Sequence, residues 1–433
     1  MTVIKQKVSD HLNVSCIQTD RFKTGVLTVT LTLPQTLDRS ADSMLLSGIL
    51  RRGTERYPTM AQINRRLDDL YASCVEIRTQ RIGKNLSLVF GAEMLDDRYA
   101  IDGTNITEGV IEVLSQMILH PHLPSGVFDP TLVAQEIRFT QDALRAEINN
   151  TKLYAASRLA ELMHRNDPEY ATAQKLQELL LSVTAASLTE AYHALLQNAT
   201  WQFFYIGTLS PDTVAALLQK HFSPLPMHAA PLPLHLPVAE ESSGDIRASE
   251  QMPVSQGKLS LGFRTGVSAV SNAKEIYTAM MLSEIFGASP ASKLFMNVRE
   301  KMSLCYYCAS SYHRYSGILT VHSGIETKNR DLAEQAILAQ LQDIRDGKIS
   351  DAEFHATKKS LENSYRQLYD NPFELQSFYG TRELFALDET IEAACLALSR
   401  VTIDEIINLA RRVICDTVFF VEGVGKDTED NDE

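Results

Sequence analysis

A chain of 433 residues, 44% of them hydrophobic and 22% charged, is too long for one ordinary core and has an ordinary globular composition, so two domains are expected. The net charge of −13, with basic residues scattered, offers no cationic stripe to neutralise a phosphate backbone, which excludes nucleic acid as a partner. No run of about 18 apolar residues exists to span a membrane, and the opening MTVIKQKVSDHLNVSC lacks an apolar signal core, so no membrane and a cytoplasmic location are expected.

The first clear element is SMLLSGILRRGT, Ser43 to Thr54, an apolar helical run closed by Gly53. Thr59 with Gln62 forms a capping-box pattern ahead of Ile63, Leu67 and Leu70, which predicts a second helix. A strand pair follows, turning at Gly83 in RIGKN, and the alternation in NLSLVFGAEM gives one strand a buried face. The amphipathic VIEVLSQMI comes next, then FDPTLVAQE. Apolar residues at Val133, Ile137, Leu144, Ile148, Ala155, Leu159 and Leu162 then recur at helical spacing and predict a long helix. VTAASLTEAYHALL and WQFFYIG close the segment as helix and strand.

From Pro224 to Pro253 six of the fifteen prolines gather, which predicts an extended tether without regular helix or central strand. This linker, 224–253, separates a first domain, 1–223, from a second, 254–433. The second repeats the first in order. A helix ends near Gly287 and a strand pair turns at Gly317 in RYSGIL; the Gly53–Gly83 and Gly287–Gly317 separations are both thirty residues. LAEQAILAQLQDI, ISDAEFHAT, VTIDEIINLARRV and TVFFVEG then match their first-half counterparts. The shared order predicts a duplication, and with it two similarly folded α+β domains, each a mixed sheet packed with helices.

Candidate chemistry is sparse. Neither H-E-x-x-H nor H-x-x-E-H occurs, and His120 and His122, in LHPHLP, read as a surface loop. Cys305 and Cys308 form a C-x-x-C, but LCYYCAS reads as a strand, where residues three apart face opposite ways, so core cysteines are expected. The other cysteines, Cys16, Cys74, Cys395 and Cys415, have no framework spacing. No nucleophile elbow, P-loop or dinucleotide fingerprint is present. In FGASPASKLF, Ser289 is the expected N-cap and Pro290 the first helical residue. Beyond it, Arg299 near a helix end and Tyr306 in the next strand pair a guanidinium with a phenol, groups that hydrogen-bond a peptide carbonyl.

Gly53-Thr54, Ser292-Lys293-Leu294-Phe295, Arg299-Glu300-Lys301 and Leu304-Cys305-Tyr306 stand in an order that resembles the pitrilysin/insulysin-type (inverzincin) metallopeptidases, including the mitochondrial processing peptidase, over essentially the whole chain. The resemblance implies two homologous domains facing each other as a clamshell. It also implies an H-x-x-E-H on the helix before Gly53-Thr54, and alignment puts Met44, Ser47 and Gly48 at those places. A third ligand, a Glu, falls at Ala143 or Glu147. With both imidazoles and the base missing, no metal, no cofactor and no catalysis are expected. Arg299 and Tyr306 match the family's substrate-holding pair. The expected role is therefore a non-catalytic, peptide-binding subunit that completes the chamber of a zinc-bearing homologue. The alternative is a stand-alone homodimer that binds peptide or acts as a scaffold; a residual peptidase is the weakest reading.

Overall fold

The computed structural model of the chain describes residues 1–9, 12–226 and 230–424. In chain order the elements are β1 Ile4–Ser9, β2 Leu12–Gln18, β3 Thr24–Pro34, α1 Leu37–Ile49, α2 Met60–Asp69, β4 Cys74–Ile82, β5 Asn85–Leu95, α3 Ile106–Leu119, α4 Pro130–Ala146, α5 Thr151–Met163, α6 Ala173–Leu180, α7 Ala185–Asn198, β6 Thr200–Gly207 and α8 Pro211–Phe222. They continue with β7 Ile246–Met252, β8 Gly257–Arg264, α9 Ile276–Ser283, β9 Cys305–His313, β10 Ile318–Ile325, α10 Arg330–Arg345, α11 Asp351–Gln367, α12 Pro372–Leu384, α13 Ile391–Arg400, α14 Ile403–Arg412 and β11 Ile414–Gly423. Among these no single helix is long and apolar enough to cross a membrane.

Two α+β units result, each a mixed sheet packed with helices. The first sheet runs β1-β2-β6-β3-β5-β4 and the second β7-β11-β8-β10-β9. Without β1 the two orders are the same, and each has its parallel pair in the same place, β2 with β6 and β7 with β11. The duplication read from residue order is therefore present as topology. Its local causes repeat as well: Gly83 and Gly317 turn their strand pairs with φ of 59° and 69°, a region open to glycine without strain. Thr184 and Thr402, from the two Val-Thr pairs, cap α7 and α14 with capping boxes, as Thr59 does for α2.

The compact units are not the two contiguous halves. One comprises Met1–Leu144, Ala173–His235 and Leu368–Glu389; the other comprises Arg145–Thr172, Leu236–Gln367 and the described part of Thr390–Glu433. The reason lies in α5 and α12. Ala155, Leu159 and Met163 recur every four residues along α5 and pack with Met252, Ile318, Phe419 and Val421 of the second unit. Met163 lies over Gly262 of β8, where a Cβ would come within 2.2 Å of its Sδ. In the first unit α12 packs on β3 and β6, and Gln202 Nε2 donates to the Gly380 carbonyl at 3.2 Å.

Three further expectations change. The long helical run breaks at a 3-10 turn, Glu147–Asn149, and restarts at Asn150, whose side chain accepts from the Leu153 amide; Ile148 falls in the turn and is exposed. The proline-rich stretch contains a strand, β7, because its prolines stop at Pro237 and resume only at Pro253; β7 pairs with β11 as a sheet edge. Ser289 and Pro290 lie in a turn, and the π-helical segment Leu294–Lys301 begins after them, with the Met296 amide donating to the Ser292 carbonyl.

A buried polar cluster fastens α5 into the second unit. Arg264, 4% exposed, donates to the Met163 carbonyl at the end of α5, to Glu240 and to Asp416. Asp416 also accepts from the Ser242 hydroxyl and the Ser243 amide, and His164 pairs with Glu240. Burial pushes the Asp416 carboxyl up, but the hydrogen bonds from Ser242 and Thr417, the Arg264 charge and the Ser243 amide outweigh it and hold it below the ordinary carboxylate value. Glu240 is lowered in the same way, with burial overcome by the bonds and charges of His164 and Arg264.

Candidate functional site: a filled motif helix and an exposed Arg–Tyr pair

Helix α1 starts at Thr36, whose hydroxyl accepts from the Arg39 amide, and buries Ala41, Leu45, Leu46 and Ile49 while packing on β4, α6 and α7. Met44, Ser47 and Gly48 occupy one turn on its half-buried side. Ser47 Oγ donates to the Met44 carbonyl at 2.7 Å, a bond internal to the helix. Gly48 has a specific reason to be glycine: a Cβ there would stand 2.1 Å from Oε2 and 2.8 Å from Cδ of Glu136. Glu136 comes from α4, is 7% exposed, and pairs with Arg52, whose guanidinium lies 5.7 Å from the Phe139 ring centroid.

Gly48, which the family resemblance aligns with the second imidazole of a zinc motif, is thus packed against a carboxylate already paired with a guanidinium. The donor set does not fit a zinc ion. A thioether, an internally bonded hydroxyl and a bare backbone position supply no nitrogen or thiolate ligand, and the one adjacent carboxylate is committed to Arg52. Among the described residues no cluster of three or more His, Cys, Asp or Glu has metal-binding geometry. Ala143 lies seven residues beyond Glu136 on α4 and is exposed; Glu147 lies past the end of α4 in the 3-10 turn. Sequence reading missed Glu136. Its signal was a charge at i+3 from Val133 on the apolar stripe, and these two are the only buried positions of α4.

This packing gives a direct test. Gly48→Ala forces the Glu136 carboxylate off Arg52 and is expected to cost about 2 kcal/mol, in the range for overpacking a filled site. In a Glu136→Ala background the same substitution is expected to cost almost nothing. Urea unfolding of the four proteins in the cycle gives the coupling, and additive costs would contradict the assignment.

Gly53-Thr54 also has a physical basis. A Cβ on Gly53 would lie 2.4 Å from the Pro58 carbonyl oxygen, and fully buried Thr54 closes the loop, its amide donating to the Tyr57 carbonyl and its hydroxyl accepting from the Tyr57 amide.

In the second unit, Arg299 lies in the last turn of Leu294–Lys301 and Tyr306 at the start of β9. The guanidinium is stacked 4.6 Å from the Phe295 ring centroid, close to Glu300, with 41% of the side chain exposed; Tyr306 is 56% exposed. Neither bonds the other among the described residues; each keeps free donors toward solvent. Tyr306 is also the extra residue of a β-bulge, because Cys305 pairs with Ile325 and Tyr307 with Gly324. That bulge corrects the expected orientation of the C-x-x-C. Cys305 and Cys308 face Ile325 and Ser323, two positions apart on β10, so both lie on one face of the sheet.

The model for the Peptidase M16 inactive domain matches residues 182–361. Over 98% of this chain and 99% of the relative, the sequence is 28% identical to the probable inactive metalloprotease YmfF of Bacillus subtilis (strain 168). It is 26% identical to an uncharacterized zinc protease of that organism, YmxG, over 37% of this chain and 39% of the relative. A conserved protein from Enterococcus faecalis V583 has a similar solved structure, with TM-score 0.88 and 25% identity over 98% of this chain and 99% of that one. With the duplicated sheet topology already in view, these matches support reading the chain as similar to the peptidase M16 family and to its inactive members in particular.

Proposed function

We propose that this protein is a non-catalytic M16 subunit that holds peptide through Arg299 and Tyr306 and completes the chamber of a zinc-bearing homologue. The observation that carries the reading is the contrast between the two parts of the site. Glu136, paired with Arg52, packs against Gly48, one of the positions that the resemblance aligns with the metal motif, and this supports a loss of water activation. Arg299 and Tyr306 keep exposed hydrogen-bonding ends suited to a peptide backbone. That Bacillus subtilis has both a relative named as inactive and one named as a zinc protease supports pairing of the two kinds of chain.

The test is peptidase activity of the chain alone, of a zinc-bearing homologue from the same genome alone, and of the mixture, with light scattering to size the species formed. Activity is expected only, or mainly, in a mixed heterodimer. Arg299→Ala in that mixture removes a charge-assisted hydrogen bond and is expected to lower kcat/KM by roughly tenfold or more. An unchanged rate would refute the role given to Arg299. A homodimer indifferent to the homologue would refute the pairing.

A further inference from the structure

The bulge at Tyr306 does more than turn one side chain. By placing Cys305 and Cys308 on the same face it brings two thiols to neighbouring positions of one strand. The two differ in setting. Cys305 is half-buried at the start of β9, next to the Arg299 charge, whereas Cys308 is 4% exposed beneath it. Ser323, the partner of Cys308 across the sheet, donates its hydroxyl to the Tyr307 carbonyl at 2.9 Å. All six cysteines are free, so the pair is a dithiol.

We propose that Cys305 and Cys308 form a redox-active dithiol site that takes a hydroperoxide as substrate, with Cys305 as the attacking thiol and Cys308 as the resolving one. The Cys305 thiolate attacks the peroxide oxygen, the O–O bond breaks, and the leaving hydroxide takes up the proton lost from Cys305, giving sulfenic acid and water. The Cys308 sulfur then attacks the Cys305 sulfur, its proton leaves with the departing hydroxyl as a second water, and a disulfide remains. Two thiols are oxidised by two electrons and one peroxide is reduced to two waters. The neighbouring Cys308 thiol and the Arg299 charge, against the opposing effect of burial, lower the Cys305 thiol below its ordinary value, whereas its neighbour Cys305 and deep burial raise Cys308. This division suits an attacking and a resolving thiol. Positions two apart on a flat strand stand roughly 6.6 Å apart, near the upper limit for a bridge.

The experiment uses the full native chain. Tryptic cleavage at Lys301 and Arg314 leaves both cysteines in one peptide, 302–314. After limiting hydrogen peroxide and maleimide blocking, that peptide is expected to lack two hydrogens and carry no maleimide, and dithiothreitol is expected to restore both sites. Exposed Cys74 is an internal reference, expected to oxidise roughly tenfold more slowly than Cys305. Cys308→Ser should stop at a sulfenic acid on Cys305 that a 1,3-diketone traps. Two outcomes would overturn the proposal: oxidation of Cys305 no faster than Cys74, or progression to sulfinic acid in the native chain without a bridge.

Discussion

Replacing Arg264 with leucine is expected to destabilise the protein by about 4 kcal/mol, the usual cost of removing one partner from a buried ionic cluster. Arg264 is 4% exposed and faces two carboxylates, Glu240 and the fully buried Asp416, and its removal leaves both without their shared guanidinium. It also removes one of the two donors to the Met163 carbonyl at the end of α5, leaving the Ser243 hydroxyl alone. The loss should fall on the second unit, and hydrogen exchange should show α5 and β8 opening together. A pH corollary follows from the same cluster. Both carboxyls are held below their ordinary values when folded, so their contribution is complete above the unfolded values near pH 4 and is lost as pH falls through the folded ones. The wild type should therefore lose stability below about pH 4 more steeply than an Asp416→Asn variant. Equal slopes would show that Asp416 is not held ionised by its partners.

Gly53→Ala is the second large effect, expected at about 3 kcal/mol. The added Cβ would meet Pro58 O at 2.4 Å and Pro58 C at 2.7 Å, and these are backbone atoms that no rotamer change can move aside. The loop they belong to is locked by the Thr54–Tyr57 bonds and by the bridge between Thr54 and Pro121. Relief therefore requires shifting the end of α1 or the start of α2. A thermal midpoint within a degree or two of the wild type would mean that the loop is softer than its bonds imply.

These two residues bracket what the amino-acid sequence reveals. Gly53, Gly83, Gly317, Thr184 and Thr402 act on their immediate neighbours, so the repeated elements were legible from local pattern. The exchange of α5 and α12 was not, because Ala155, Leu159 and Met163 carry the same stripe whichever sheet they cover. Glu136 was missed for a related reason. A carboxylate on an apolar stripe has no meaning until Arg52 and the bare Gly48 are brought beside it. The C-x-x-C was read with the geometry of a regular strand, and a single bulge, invisible in LCYYCAS, reversed the outcome.

The most direct measurement is the metal content and peptidase activity of the purified chain after incubation with excess zinc and desalting. With a carboxylate–guanidinium pair packed against Gly48 and no imidazole on its helix, the chain should retain no stoichiometric zinc and cleave no peptide. One tightly held zinc per unmodified chain, with cleavage that a chelator abolishes, would contradict the account.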